Sequence, residues 1–128
     1  MMDSVRTSRH GRSTLRGTMK NVLFICGRNK LRSPTAEEIF TGWRGIEVAS
    51  AGVNPDCDNQ VTPELLEWAD LIFVMEQSHK TKLASRFSAS LKDKRIICLD
   101  IQDKYSYMDP ELVKLLKAKV CRHLPPAT

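Results

Sequence analysis

A cysteine and an arginine separated by five residues form the most reactive combination in the sequence. Cys26 ends a short apolar run, and Arg32 is followed by Ser33 and Pro34, a pair typical of a helix cap and first turn. Backbone N–H groups of a loop that enters a helix converge on one anion, and an arginine binds two phosphate oxygens. The same helix end favours the thiolate, the nucleophilic form of cysteine. The spacing therefore predicts attack by Cys26 on a bound phosphate ester.

Short apolar, β-branched runs alternate with helical patterns along the chain. The predicted strands cover residues 21–26, 46–51, 71–75 and 95–99. The predicted helices begin at Ser33, Thr62, Ser78 and Asp109, with acidic residues in the first turn of the first helix. This alternation predicts the α/β class, with a four-stranded parallel sheet and helices on both faces in a Rossmann-like three-layer arrangement. Ligands bind such sheets beyond the carboxyl ends of the strands, where Cys26 lies.

Positive charge is concentrated at the start of the chain. Residues 1–20 hold five basic residues and one acidic residue, whereas the rest of the chain holds 15 basic and 14 acidic residues. We therefore expect a disordered basic N-terminal extension or a start-site artefact over residues 1–18, followed by one folded domain over residues 19–128. A nucleic-acid-binding domain carries its charge on a folded face, so we expect no nucleic acid partner. No apolar run approaches the roughly 20 residues of a membrane span, which favours a cytoplasmic location without a membrane partner.

The remaining cysteines and histidines suggest no metal or redox centre. Cys57, Cys98 and Cys121 are widely spaced and form no zinc-binding pattern, so we expect neither a metal nor a cofactor. Cys98 and Cys121 fall in apolar segments and are predicted core thiols, whereas Cys57 lies in a polar loop. We expect His79 and His123 at the surface.

Four segments together resemble the low-molecular-weight protein tyrosine phosphatases. The signature of that family, Val-Cys-x-Gly-Asn-x-x-Arg-Ser-Pro-x-Ala-Glu, is similar to residues 22–37. Ser50-Ala51-Gly52 is similar to the segment after the family's second strand, and residues 70–75 with Ser78 are similar to its third strand and following turn. Residues 100–105 resemble the late loop that carries the general acid. The resemblance extends over residues 20–124 and implies the phosphotyrosine phosphatase I-like fold.

The resemblance also implies a role for individual residues. Cys26 would form a cysteinyl-phosphate, Arg32 would bind the phosphate, and Asp103 would protonate the leaving group and then activate water. Asn29 and Ser33 would brace the loop, with Ser50 supporting Asn29, and Ser33 would also help the thiolate leave. The remaining residues expected at the substrate are Gly27, Arg28, Lys30 and Leu31, with Tyr105 in support. Asp100 stays open as an alternative acid, and Asp109 is better explained as a helix cap.

Three departures from the family pattern bear on activity and substrate. Arg28 stands where the family has glycine, and a positive φ there would strain an arginine by roughly 1 kcal/mol. Leu31 replaces a cysteine often found in the loop, so a protective disulfide with Cys26 cannot form. The chain between Ser50 and Asp70 is short, which shortens the stretch that normally builds one wall of the cleft.

The sequence therefore predicts a phosphomonoester hydrolase of the protein tyrosine phosphatase type. We expect it to act on a phosphorylated protein or a small phosphomonoester, as a monomer or weak dimer. Two alternatives stay open: a phosphate- or anion-binding protein without turnover, and an arsenate reductase-like thiol enzyme.

Overall fold

Four parallel strands form the centre of the fold. The computed structural model describes residues 20–28, 30–55, 57 and 59–124, so the predicted extension and the expected brace at Asn29 lie outside the described residues. The strands are β1 (Lys20–Cys26), β2 (Ile46–Gly52), β3 (Leu71–Val74) and β4 (Arg95–Cys98). They pair in the order β2-β1-β3-β4, and every pairing is parallel. The predicted four-stranded parallel sheet is confirmed.

In the described part of the chain, four α-helices connect and follow the strands. They are α1 (Arg32–Phe40), α2 (Pro63–Trp68), α3 (Gln77–Phe87) and α4 (Pro110–Val120), and short 3₁₀ turns follow α3 and α4. The expected caps of the second and fourth helices are confirmed. Thr62 accepts a hydrogen bond from the backbone N–H of Leu65 at 3.1 Å, and Asp109 accepts one from Glu111 at 2.9 Å.

The start of α1 differs from the prediction. The helix begins at Arg32 after Leu31, without a side-chain cap and without an acidic residue in its first turn. The predicted cap at Ser33 is wrong, because the Ser33 hydroxyl lies inside the helix and contacts the thiol of Cys26 instead. The helix thus begins two residues earlier than a cap at Ser33 would place it.

Each face of the sheet is covered by two helices. Alternate side chains of β1 point to opposite faces, as the period of a strand requires. Phe24 stacks on Phe40 of α1 and on Phe73 of β3, in a core that also includes Leu112, Leu116 and Val120 of α4. Leu23 and Ile25 face the second core, with Leu66 of α2 and Leu83 of α3. The predicted three-layer arrangement is confirmed.

Backbone pairing continues past the carboxyl ends of the strands. Val53 donates to the carbonyl of Cys26 at 2.9 Å, so the chain after β2 runs beside the loop after β1. On the other side, Met75 donates to Ile25 at 3.0 Å and Ile101 donates to Met75 at 2.8 Å. This pairing brings the four loops together at one edge of the sheet. Among the residues the structure describes, no helix is long and apolar enough to cross a membrane.

Candidate active site

A pocket of about 310 Å³ opens at this edge of the sheet. Many residues expected at the site line it: Cys26, Gly27, Arg28, Lys30, Leu31, Arg32 and Asp103. Five further residues, which the sequence did not single out for this site, complete the described lining: Asn54, Glu76, Ser78, His79 and Lys82. The described lining thus holds four cationic side chains of arginine and lysine against two carboxylates, a balance that favours an anion.

Cys26 lies at the base of the pocket, at the end of β1. Its side chain is nearly inaccessible, and its Sγ lies 2.9 Å from the Oγ of Ser33. A hydroxyl at this distance donates to a thiolate and stabilises its negative charge. The expected contact between the nucleophile and Ser33 is therefore present.

Arg32 is buried and held on one side by two acceptors. Its Nη1 donates to Glu76 Oε2 at 2.5 Å and to the carbonyl of Ile101 at 2.7 Å. Its Nε lies 3.6 Å from Asp103 Oδ1, an ion pair longer than a hydrogen bond. Because these two acceptors occupy Nη1, the Nε and Nη2 edge of the guanidinium remains to bind two phosphate oxygens.

The loop after Cys26 takes a conformation that an arginine tolerates. In the part of the chain the structure describes, non-glycine residues with positive φ are Asp93, Asp100 and Met108, and Arg28 is not among them. The strain considered for Arg28 is therefore not found. The close approach lies at Gly52 instead, where an added Cβ would lie 2.8 Å from the carbonyl oxygen of Gly27.

The two candidate acids occupy different positions. Asp103 lines the pocket and lies beside Arg32, whereas Asp100 lies two residues after β4 with a φ of 59° and is absent from the described lining. Tyr105 is half-buried and packs against the core beside α1 and α4, with Lys104 over its ring at 5.6 Å. The structure therefore brings Asp103 to the loop and leaves Tyr105 outside the pocket lining.

The described partners of Ser50 lie on α1 and in the segment after β2. Its hydroxyl donates to Glu37 Oε1 of α1 at 2.5 Å, and its carbonyl accepts from Asn59 Nδ2 at 2.6 Å. Its expected partner, Asn29, is outside the described residues. Within the described structure, Ser50 connects β2 to α1.

His79 is buried, so its predicted surface position is wrong. Glu76 and His79 form a reciprocal capping box at the start of α3, in which the backbone N–H of Glu76 donates to His79 Nδ1 at 3.1 Å. Burial, reinforced by the positive charge of Arg32, lowers the pKa of His79 to about 4. The ring is therefore neutral at pH 7 and carries its proton on Nε2, since Nδ1 is an acceptor.

Two cations of α3 hold the segment after β2. Lys82 Nζ donates to Asn54 Oδ1 at 3.0 Å, and Arg86 Nη1 donates to the carbonyl of Val53 at 2.6 Å. These contacts hold one wall of the pocket beside the Cys26 loop.

A signal for the missed residues exists in the topology. Asn54 and Glu76 each follow a parallel strand by two residues, and the carboxyl ends of parallel strands meet at one edge of the sheet. Applied to β2 and β3 as well as β1, this rule would have indicated both residues. His79 follows Glu76 by three residues, the spacing of a capping box.

Comparisons with known proteins agree with this arrangement. A family model described as low molecular weight phosphotyrosine protein phosphatase matches residues 21–67, the segment with the Cys26 loop and β2. The chain is 30% identical over 94 residues to the protein-arginine-phosphatase of Bacillus subtilis strain 168, an alignment covering 52% of this chain and 63% of that protein.

The chain is thus similar to the low molecular weight phosphotyrosine protein phosphatase family in sequence over residues 21–67.

Solved structures of this family share the fold. The low molecular weight protein tyrosine phosphatase of T. tengcongensis superposes with a TM-score of 0.66 at 26% identity, over 82% of this chain and 99% of that one. Wzb of Vibrio vulnificus, solved with benzylphosphonate, superposes with a TM-score of 0.67 at 22% identity, over 82% and 97%. The chain thus has the family fold, although its alignment spans less than two thirds of the length of its curated arginine phosphatase relative.

Proposed function

We propose that the protein hydrolyses phosphomonoesters through a cysteinyl-phosphate intermediate. The observation that carries this proposal is the placement of Cys26, Arg32 and Asp103 around one pocket, with Ser33 against the thiol. The proposal includes a cytoplasmic location and action as a monomer or weak dimer.

The first step forms the covalent intermediate. The Cys26 thiolate attacks phosphorus while the ester P–O bond breaks, and protonated Asp103 transfers its proton to the departing oxygen. The loop amides and the Nε and Nη2 edge of Arg32 bind the equatorial oxygens, where charge develops. Glu76 and the Ile101 carbonyl act on the far side of Arg32 and hold its guanidinium in this orientation.

The second step releases phosphate. Asp103, now a carboxylate, takes a proton from water while the water oxygen attacks phosphorus and the S–P bond breaks. The leaving thiolate regains its hydrogen bond from Ser33, 2.9 Å away, which lowers the cost of its departure. A cysteine-to-serine mutant of a structurally similar arginine phosphatase was solved with a phosphorylated active-site serine, which supports covalent transfer to the nucleophile position.

A phosphorylated protein or a small phosphomonoester is the proposed substrate, with phosphoarginine in a protein as a second candidate. The 30% identical relative is named a protein-arginine-phosphatase, which favours testing this N–P bond beside the O–P bond of phosphotyrosine. The described lining of the pocket contains no Phe, Tyr or Trp side chain to stack on a phenol ring. Selectivity for phosphotyrosine would therefore have to come from contacts outside this lining.

An aryl phosphate assay tests the proposal. We expect phenolate release by the wild-type chain, no turnover by Cys26→Ser, and no effect of chelator. Binding of vanadate without turnover would identify an anion-binding protein instead. Arsenate-dependent thiol oxidation that Cys57→Ser abolishes would identify a reductase.

A further inference from the structure

Two nitrogen donors face the space beside Gly27. A Cβ added at Gly27 would lie 3.4 Å from Asn54 Nδ2 and 3.7 Å from His79 Nε2. Within the described residues, neither nitrogen donates a hydrogen bond to the protein. His79 exposes only 5% of its surface, and buried donors are normally satisfied by protein, water or ligand. Both residues line the pocket, so an acceptor for the two nitrogens would have to enter from the pocket.

The orientation of both donors is fixed by the surrounding protein. Lys82 donates to Asn54 Oδ1 at 3.0 Å, which turns the amide nitrogen of Asn54 toward Gly27. The backbone of Glu76 donates to His79 Nδ1 at 3.1 Å, which leaves the proton of the neutral ring on Nε2. Donors held in advance of binding cost little to order when a ligand arrives.

We propose that Asn54 and His79 form a subsite for an oxygen acceptor, such as a carboxylate, that the substrate carries next to its phosphate. The proposal deepens the proposed function and rests on it, because the phosphate occupies the Cys26 loop. Both nitrogens lie within 4 Å of one point beside Gly27, so a ligand group in the pocket in front of Gly27 would face both of them. The nearby charge of Lys82 favours an anionic acceptor and disfavours a guanidinium, so the subsite selects against phosphoarginine.

Two phosphonates of similar size test the subsite in the full-length chain. Phosphonoacetate carries a carboxylate next to its phosphonate group, and ethylphosphonate carries a methyl group at that position. We expect isothermal titration calorimetry to show phosphonoacetate binding about tenfold more tightly than ethylphosphonate, the effect of a charge-assisted hydrogen bond.

A single isosteric substitution then distinguishes binding at the subsite from binding at the Cys26 loop. Asn54→Asp keeps the shape and the Lys82 contact but replaces the donor by an acceptor, so it is expected to abolish the preference for phosphonoacetate. Gln102→Glu adds the same charge at an exposed position outside the described lining and is expected to retain the preference.

Each outcome is decisive. Loss of the preference in Asn54→Asp alone supports the subsite. Equal affinities in the wild-type chain, or a preference that Asn54→Asp leaves unchanged, overturn the subsite while ethylphosphonate binding leaves the phosphate loop intact. If neither phosphonate binds, the proposed function itself is wrong, and the subsite falls with it.

Discussion

Gly52, the last residue of β2, lies in close contact with the backbone of the Cys26 loop. A Cβ at this position would lie 2.6 Å from Cys57 Sγ, 2.8 Å from the carbonyl oxygen of Gly27 and 2.9 Å from the carbonyl carbon of Arg28. Two of these three neighbours are backbone atoms, which cannot rotate away as a side chain can. Gly52→Ala must therefore move the loop away from β2.

We expect Gly52→Ala to lower the free energy of unfolding by about 1–2 kcal/mol. Overpacking a tight site costs about 1–3 kcal/mol, and the lower entropy of alanine in the unfolded chain returns about 0.4–1 kcal/mol. The effect on activity is larger, because the displaced backbone belongs to the loop that holds the phosphate. A misplacement of about 1 Å lowers kcat/KM by roughly 100-fold.

Urea unfolding and turnover of para-nitrophenyl phosphate measure the two effects in parallel. Cys57→Ala is the matched control, because it removes the side-chain neighbour of Gly52 and leaves both backbone neighbours in place. We expect Cys57→Ala to retain activity and the Gly52→Ala/Cys57→Ala double variant to stay impaired. Wild-type stability and activity in Gly52→Ala, or full recovery in the double variant, would refute the conclusion that backbone contact sets the loop position.

Three further predictions concern protons and the thiol. Because the pKa of His79 is lowered to about 4, the unfolded chain takes up this proton first as the pH falls. The free energy of unfolding should therefore drop by roughly 3 kcal/mol between about pH 6.5 and pH 4, and His79→Asn should flatten this dependence in urea titrations. Ser33→Ala removes the hydroxyl that lies 2.9 Å from the Cys26 thiol. Because the thiolate then leaves less readily, kcat should fall about tenfold and rapid-quench kinetics should show accumulated cysteinyl-phosphate. An unchanged kcat would contradict the role of this contact in thiolate departure. Asp103→Asn should lower kcat by about 100-fold or more and remove the limb of the pH–rate profile that reports the acid, whereas Asp100→Asn should keep it, and the reverse pattern would reassign the acid.

The sheet and the nucleophile loop could be predicted because their signals are local. The buried strands are continuous apolar runs, and β1 buries every side chain from Val22 to Ile25 completely. Cys26 and Arg32 are close in sequence, and one strand, one loop and one helix start bring them together. The position of these two residues can therefore be predicted without knowing how the rest of the chain folds.

The wall opposite the loop could not be predicted in the same way. Glu76, His79 and Asn54 reach the pocket only through the parallel pairing of β2 and β3 with β1. His79 occurs in a basic amphipathic pattern that is typical of a surface helix, yet its ring turns back to accept a hydrogen bond from Glu76. Whether Arg28 is strained depends on its φ angle, and the residue type alone does not determine that angle.

Trapping the covalent intermediate tests the central claim most directly. Rapid acid quench of the wild-type chain during aryl phosphate turnover, followed by intact-mass analysis and peptide mapping, detects a phosphoryl group on the protein. We predict one phosphoryl group per chain, carried by Cys26. We expect a larger phosphorylated fraction in Ser33→Ala and no phosphorylated protein in Cys26→Ala. Turnover without any phosphorylated cysteine, or turnover that persists in Cys26→Ala, would contradict the account.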